Sequence, residues 1–185
     1  NLINALLEAG IQPWVTLFHW DFPLALFNKG GWLNEDSSDW FADYTKLIVD
    51  RYSDRVSHWF TLNEPECFVG LGHDTGNHAP GLTLPLAQVN RVWHNTLLAH
   101  GKSVQIIRAH AKTEPKIGAA PCFRTVIPAT ESSEDIEAAR QHTFNVVDKS
   151  MFNATWWLDP AFFGQYPEDG MELFGKDAPV IKNGD

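Results

Sequence analysis

The segment 59–66, WFTLNEPE, places two carboxylates directly after an apolar run. A carboxyl group that protonates a leaving oxygen near neutral pH needs a raised pKa, which apolar surroundings supply. Trp59 and Leu62 would provide such surroundings for Glu64. The neighbouring amide of Asn63 could hydrogen-bond a sugar hydroxyl. Glu64 is therefore a candidate proton donor, and Asn63 is a candidate contact to a sugar.

A second group of polar side chains comes after an earlier apolar run of strand length. His19 and Trp20 end the segment 14–20, WVTLFHW. In parallel sheets, ligands bind at the carboxyl ends of the strands, so both polar groups would meet at one edge. A His and a Trp there could bind further hydroxyls and stack on a sugar ring. Ordinary loop polarity is the alternative, but it predicts polar residues at both strand ends, whereas Pro13 and Val56 stand at the other ends.

Hydrophobic periodicity predicts helices that alternate with three short strands. The predicted strands are 14–20, 56–62 and 116–122; the predicted helices are one that ends at Gly10, 40–52, 86–107, 134–157 with a capping box at Ser132 and Asp135 and with Pro160 beyond its end, and a short one at 171–174. Such alternation is typical of right-handed βαβ units and a parallel sheet. The strands are apolar throughout, as in a sheet covered on both faces. The sequence therefore predicts an α/β fold, without a dinucleotide fingerprint or a P-loop.

Composition narrows the possible partners. With 44% apolar and 20% charged residues, the 185 residues are expected to form one globular domain, 1–185. A net charge of -9 without any basic cluster argues against nucleic acid and against a membrane surface. Cys67 and Cys122 form no CxxC motif, and His73 and His78 fit no metal-ligand spacing. We therefore predict no metal, no cofactor and no disulfide framework.

Six ordered motifs carry a resemblance to a known family. They are TLFHWDFP (16–23), GGWLN (30–34), TLNEP (61–65), HAPG (78–81), HNTLLAHG (94–101) and DPAFFGQYP (159–167). Together they resemble glycoside hydrolase family 1, the retaining β-glucosidases and β-galactosidases, over essentially the whole chain. The NEP motif alone occurs in several related barrel glycosidases. It is HWDFP together with DPAFFGQYP that narrows the resemblance to this family.

The resemblance implies a (β/α)8 TIM barrel, of which this chain carries roughly helix 2 to the start of strand 6, with strands 3, 4 and 5 present. It implies that Glu64 is the general acid/base, that Asn63 contacts the sugar 2-OH, and that His19 and Trp20 contact the non-reducing sugar. The implied reaction is retaining hydrolysis of terminal β-D-glycosyl residues. A second carboxylate attacks the anomeric carbon while Glu64 protonates the departing oxygen and later deprotonates water. The substrate would be a small β-glycoside or oligosaccharide.

The nucleophile of that mechanism is not found in this sequence. The family places it on strand 7 in a segment of the type Thr-Glu-Asn-Gly, which is absent here. The first residues, NLINALLEAG, also begin inside a helical pattern. We therefore expect the chain to be the middle of a barrel, with the remainder of that barrel as a potential partner, and we expect the isolated chain to be inactive.

Two alternative functions remain open. One is a non-catalytic sugar-binding or partner-binding relative, which the intact Glu64 disfavours. The other is a 6-phospho-β-glycosidase, a branch that usually departs from proline at the position of Pro65. Glu66 stands where the family often has Trp, and we expect a solvated loop acid there rather than a contact to the leaving group. Trp32 could border the leaving group or pack, whereas Trp156 and Trp157 are expected in the core.

Overall fold

The computed structural model describes residues 1–185, which divide into two compact units. The first unit comprises Asn1–Glu64 and Leu98–Pro121, and the second comprises Pro65–Leu97 and Cys122–Asp185. In chain order the elements are α1 (Leu2–Glu8), β1 (Trp14–Phe18), α2 (Leu24–Phe27), a 3₁₀ turn (Gly31–Leu33), α3 (Ser37–Tyr52), β2 (His58–Asn63), a π-helix (Cys67–Asp74), α4 (Leu86–His110), β3 (Lys116–Ala120), α5 (Ser133–Phe144), α6 (Ala154–Phe163), α7 (Glu168–Phe174) and a second 3₁₀ turn (Gly175–Asp177). None of the helices is long and apolar enough to span a membrane.

The three strands form one parallel sheet in the order β1-β2-β3, which confirms the predicted α/β arrangement in the first unit. Each predicted strand is present, although each is shorter than its apolar run. Helix α3 packs beside this sheet, and the Tyr44 hydroxyl donates to the carbonyl of Leu17 at 3.1 Å. The buried hydroxyls of Thr45 and Ser103 lie 2.9 Å apart and join α3 to α4 within the unit.

The helix predicted over 134–157 is wrong, because the chain forms two helices there with a break between them. The predicted cap at Ser132 is confirmed, since its side chain accepts the backbone N–H of Asp135 at 3.1 Å. The break is organised by Asn153, whose amide donates to the carbonyl of Ser150 at 2.8 Å and accepts the N–H of Val147 at 3.1 Å. Asn side chains that bond nearby backbone compete with helix formation, which periodicity does not register.

The position of Pro160 also differs from the prediction, because it lies inside α6 rather than beyond a helix end. A proline cannot donate to the carbonyl four residues earlier, here that of Trp156. That carbonyl instead accepts the indole N–H of Trp93 at 3.0 Å. Trp156 and Trp157 are buried, as predicted, in an aromatic core of the second unit.

Candidate functional site

The polar groups that come after β1 and β2 emerge side by side at the carboxyl edge of the sheet. The register pairs Phe18 with Leu62, so His19 and Trp20 leave β1 where Asn63 ends β2. His19 is exposed, and Trp20, Asn63 and Glu64 are half-buried. Three of the four candidate residues thus combine partial burial with access, the combination that a small-molecule site needs.

The backbone is strained at the two places where the strands end. Trp20 has φ 81° and Glu64 has φ 44°, and these are the two non-glycine residues with positive φ. Left-handed backbone costs a non-glycine residue of order 1–3 kcal/mol and persists only where surrounding contacts hold it. Such strain concentrates at functional sites, although it is not by itself a function.

The pairing of β2 with β3 is irregular just before Glu64. Phe60 pairs with Gly118, but Asn63 pairs with Ala120, so β2 carries one extra residue over this interval. A bulge of this kind re-aims side chains and is over-represented next to active sites. The backbone N–H of Glu64 then donates to the carbonyl of Ala120 at 2.8 Å, which carries the pairing one residue past the strand.

Trp20 is tied to the end of β2 through its indole. Its N–H donates to the carbonyl of Asn63 at 2.9 Å, and its ring lies 5.5 Å from that of His19. The indole N–H therefore contacts protein backbone. This bond holds together the turn after β1 and the residue before Glu64.

Near this strand end, β2 is anchored by a polar pair, the buried Thr61 and the half-buried His100. The Thr61 hydroxyl lies 2.7 Å from Nδ1 of His100 on α4 and donates to the carbonyl of Gly118 at 3.4 Å. Burial lowers the pKa of His100 from its ordinary 6.5 to about 4, so the imidazole is neutral near pH 7. The strand that ends in Asn63 is thus fixed to its neighbour and to a helix.

The prediction that Glu66 is a solvated loop acid is wrong. Its side chain is fully buried in the second unit, and its Oε2 accepts the backbone N–H of Cys122 at 3.1 Å. Sequence reasoning missed this residue because an acid in a polar loop is normally exposed. The available signal was the apolar pair Phe68 and Val69, whose burial shows that the chain turns inward here.

Segment 67–74 is a π-helix, an element that the sequence analysis did not predict. π-helical turns are rare and frequently lie at functional sites. His73 on this helix is buried, its Nδ1 lies 2.8 Å from the carbonyl of Phe68, and burial lowers its pKa. The described residues hold no cluster of three or more potential metal ligands, and Cys67 and Cys122 are free thiols.

A cavity in the first unit has a volume of about 370 Å³. Its walls are mainly aromatic and include Phe18, Phe22, Trp32 and Phe41, together with His19. Glu64, Asn63 and Trp20 do not line it. The candidate chemistry therefore lies elsewhere, and the cavity carries only one of the four residues. Trp32 is buried, with its ring 5.4 Å from that of Phe18, so the described contacts favour the packing role.

Comparisons with known proteins cover the whole chain. Residues 1–185 match the family model for glycosyl hydrolase family 1. Beta-glucosidase A of Acetivibrio thermocellus is 43% identical over 176 residues, which are 95% of this chain and 37% of that protein. Beta-glucosidase 25 of Oryza sativa subsp. japonica is 39% identical over 193 residues, with 97% and 37% covered. The chain thus spans less than two-fifths of the length of these relatives.

A solved structure shows the same similarity in three dimensions. The beta-glucosidase from Thermotoga maritima in complex with deoxynojirimycin superposes with a TM-score of 0.81 at 39% sequence identity. The match covers 96% of this chain and 38% of that one. The three parallel strands and their helices therefore correspond to a portion of that enzyme's fold.

Proposed function

Because this chain belongs to glycosyl hydrolase family 1, we propose that it supplies the general acid/base half of a retaining β-glycosidase of the β-glucosidase type. The complete polypeptide would hydrolyse terminal non-reducing β-D-glycosyl residues. The Thermotoga maritima relative has been solved with deoxynojirimycin and with noeuromycin, which is consistent with a glucose-like ligand here. A small β-glycoside is thus the proposed substrate.

The proposed roles follow from position and chemistry. Glu64 protonates the glycosidic oxygen as the bond to the anomeric carbon breaks, and later takes a proton from the water that releases the sugar. Asn63 hydrogen-bonds the 2-OH, a contact that strengthens in the transition state. His19 binds a further hydroxyl. The Trp20 ring stacks on the sugar, while its indole N–H donates to the carbonyl of Asn63. The nucleophile would come from a part of the barrel outside residues 1–185, with about 5–5.5 Å between the two carboxyl groups.

We further propose that residues 1–185 belong to one (β/α)8 domain, in which β1, β2 and β3 are barrel strands 3, 4 and 5. A barrel of this class takes about 250 residues. The isolated chain is therefore expected to show no hydrolysis of an aryl β-glucoside.

The observation that carries the proposal is the position of Glu64. It lies directly after β2, beyond a β-bulge and in left-handed backbone, and its neighbour Asn63 is bonded to Trp20 from the adjacent strand end. A polar residue that merely ended a strand would need none of these features. Together they support a carboxyl group aimed at the edge of the sheet where ligands of parallel barrels bind.

The test is Glu64→Gln in the complete polypeptide. Proton donation matters most for poor leaving groups, so kcat/KM on an alkyl β-glucoside should fall about 10²- to 10⁴-fold. The same parameter on a dinitrophenyl β-glucoside, whose leaving group needs no proton, should change far less. Glu114→Gln is the matched control, because Glu114 is exposed and precedes β3 at the opposite edge of the sheet.

Equal losses on both substrates would contradict the acid/base role. Wild-type protein that hydrolyses only 6-phosphorylated glycosides would support the phospho-glycosidase alternative. Sugar binding without any turnover would support the non-catalytic relative.

A further inference from the structure

Glu66 is the one fully buried carboxylate of the chain, and it lies two residues beyond Glu64. Burying a charged carboxylate is expensive unless hydrogen bonds compensate it. Here Oε2 accepts the backbone N–H of Cys122, 3.1 Å away, just after β3. A carboxylate kept at such a position implies a task that an apolar side chain would not perform.

Two tripeptides, 64–66 and 120–122, are joined by one hydrogen bond between their first residues and one between their last residues. In the first unit the N–H of Glu64 donates to the carbonyl of Ala120 at 2.8 Å. In the second unit the Glu66 carboxylate accepts the N–H of Cys122. Each tripeptide has a proline in its centre, which cannot donate to a strand partner. The Glu66 side chain thus supplies the acceptor at the point where backbone pairing stops.

This pattern bears on the strained residue. The left-handed backbone of Glu64, φ 44°, persists only where surrounding contacts hold it. The bond to Ala120 restrains the backbone N–H of Glu64. On its other side, Glu64 is linked to Glu66 only through Pro65, whose φ is fixed, so the bond between Glu66 and Cys122 also restrains the turn. Without that anchor the turn could relax towards ordinary backbone, and the carboxyl group of Glu64 would move.

We propose that Glu66 is a positioning residue, whose buried carboxylate binds the N–H of Cys122 and thereby holds Glu64 in the orientation for proton transfer. The proposal rests on the general acid/base function proposed above for Glu64. It assigns Glu66 no contact with substrate. Misplacement of a reacting group by about 1 Å can cost about 10²-fold in rate, so an indirect role is measurable.

The experiment compares Glu66→Met and Glu66→Gln in the complete polypeptide, with kcat/KM measured on an alkyl and on a dinitrophenyl β-glucoside. Met keeps the length of the side chain and removes the acceptor, so we expect about a tenfold or larger loss on the alkyl glucoside. The loss on the dinitrophenyl glucoside should be at most about threefold, because that leaving group needs no proton. Gln retains an acceptor oxygen and should restore part of the loss.

A purely structural role would lower both substrates alike by reducing the amount of native enzyme, and that result would overturn the proposal. Wild-type values for Glu66→Met would overturn it as well. If Glu66→Met fails to fold, Cys122→Pro removes the donor from the other side and is subject to the same two-substrate criterion. Glu64→Gln, measured in parallel, separates the two hypotheses. If it lacks the leaving-group dependence, the proposed function fails; if it alone shows that dependence, only the role of Glu66 fails.

Discussion

Two tryptophans make the same hydrogen bond in two regions that differ in their surroundings. Trp20 donates its indole N–H to the carbonyl of Asn63 at 2.9 Å in the first unit, and Trp93 donates to the carbonyl of Trp156 at 3.0 Å in the second. Trp93 is fully buried, and its acceptor is the helical carbonyl of Trp156, which receives no backbone bond from Pro160 because proline has no N–H to donate. Trp20 is half-buried and has positive φ. One bond completes a core, and the other fixes a turn.

We expect this difference to separate stability from the proposed function within the chain. The second unit concentrates buried aromatic rings: the Trp156 ring is stacked 4.6 Å from that of Phe174 and lies tilted 4.5 Å from that of Tyr166. The strand ends of the first unit concentrate strained backbone and half-exposed polar groups instead. Sites that must meet a ligand violate local rules that a core obeys. Substitutions in the two regions should therefore affect different measurements.

The largest expected effect is on the aromatic core. Trp156→Ala should lower the free energy of unfolding by about 3–5 kcal/mol, because it removes a fully buried indole that its neighbours cannot replace. Urea denaturation measures this loss. Phe163→Ala is the matched control, because its ring is 74% exposed on the same helix. A Trp156→Ala protein as stable as the control variant would show that this core does not carry the unit.

Gly170 sharpens the same test. A Cβ at this position would lie 2.6 Å from Cζ3 of Trp156, closer than real Cβ contacts allow. Gly170→Ala should therefore destabilise the wild-type protein by about 1–3 kcal/mol, and by less in the Trp156→Ala background, where the ring is absent and only the contact with Cγ2 of Val146, 2.9 Å away, remains too close. Additive losses would place the strain elsewhere.

An effect of intermediate size is expected from acid on the first unit. His100 is neutral when folded, with its pKa lowered to about 4, and it takes up a proton near pH 6.5 when unfolded. The unfolded chain therefore binds more protons between these two values. The stability that the neutral imidazole contributes is complete above pH 6.5 and falls as the pH drops towards about 4. The total decrease in the free energy of unfolding over this range is up to about 3 kcal/mol.

His100→Gln should remove most of this acid dependence, even though it also changes the contact to Thr61. The measurement is the difference between the unfolding free energies near neutral pH and at about pH 4.5, taken for wild type and for the variant. His142→Gln, which removes an exposed imidazole in the second unit, should retain the wild-type difference. Identical acid profiles for His100→Gln and wild type would show that His100 is not the responsible group.

Apart from the short helix α2, which was not predicted, the helices and strands of the first unit were predictable from sequence, and the reasons are physical. Its strands are continuous apolar runs and α3 has one apolar face, so periodicity registers both. The break at Asn153 was missed because a side chain there competes with the helical backbone, and the burial of Glu66 was missed because it depends on a partner 56 positions away. The location of Asn63 and Glu64 at the end of a strand was predicted. The left-handed backbone of Glu64 and the bulge before it were not. Those depend on contacts with β1 and β3 that no local pattern contains.

The smallest effects come from the two tryptophans themselves, and they should be opposite in kind. Trp93→Phe leaves the buried carbonyl of Trp156 without its donor, so we expect a loss of about 1–3 kcal/mol in the free energy of unfolding. Trp20→Phe removes a donor from the carbonyl of Asn63, a half-buried residue, so its stability loss should stay below about 1 kcal/mol. Trp20→Phe should instead lower kcat/KM of the complete polypeptide, because the carbonyl of Asn63 loses the bond that fixes the orientation of this strand end.

The pair is informative because the chemical change is the same in both variants. If Trp20→Phe lowers stability as much as Trp93→Phe and leaves kcat/KM at the wild-type value, then the turn after β1 is an ordinary structural contact. If Trp93→Phe lowers kcat/KM per folded molecule as strongly as Trp20→Phe, stability and function are not divided between the two regions. The expected result places the cost of Trp93→Phe in the unfolding equilibrium. It places the cost of Trp20→Phe in the orientation of Asn63, where one hydrogen bond of 2.9 Å keeps a strained strand end in register with its neighbour.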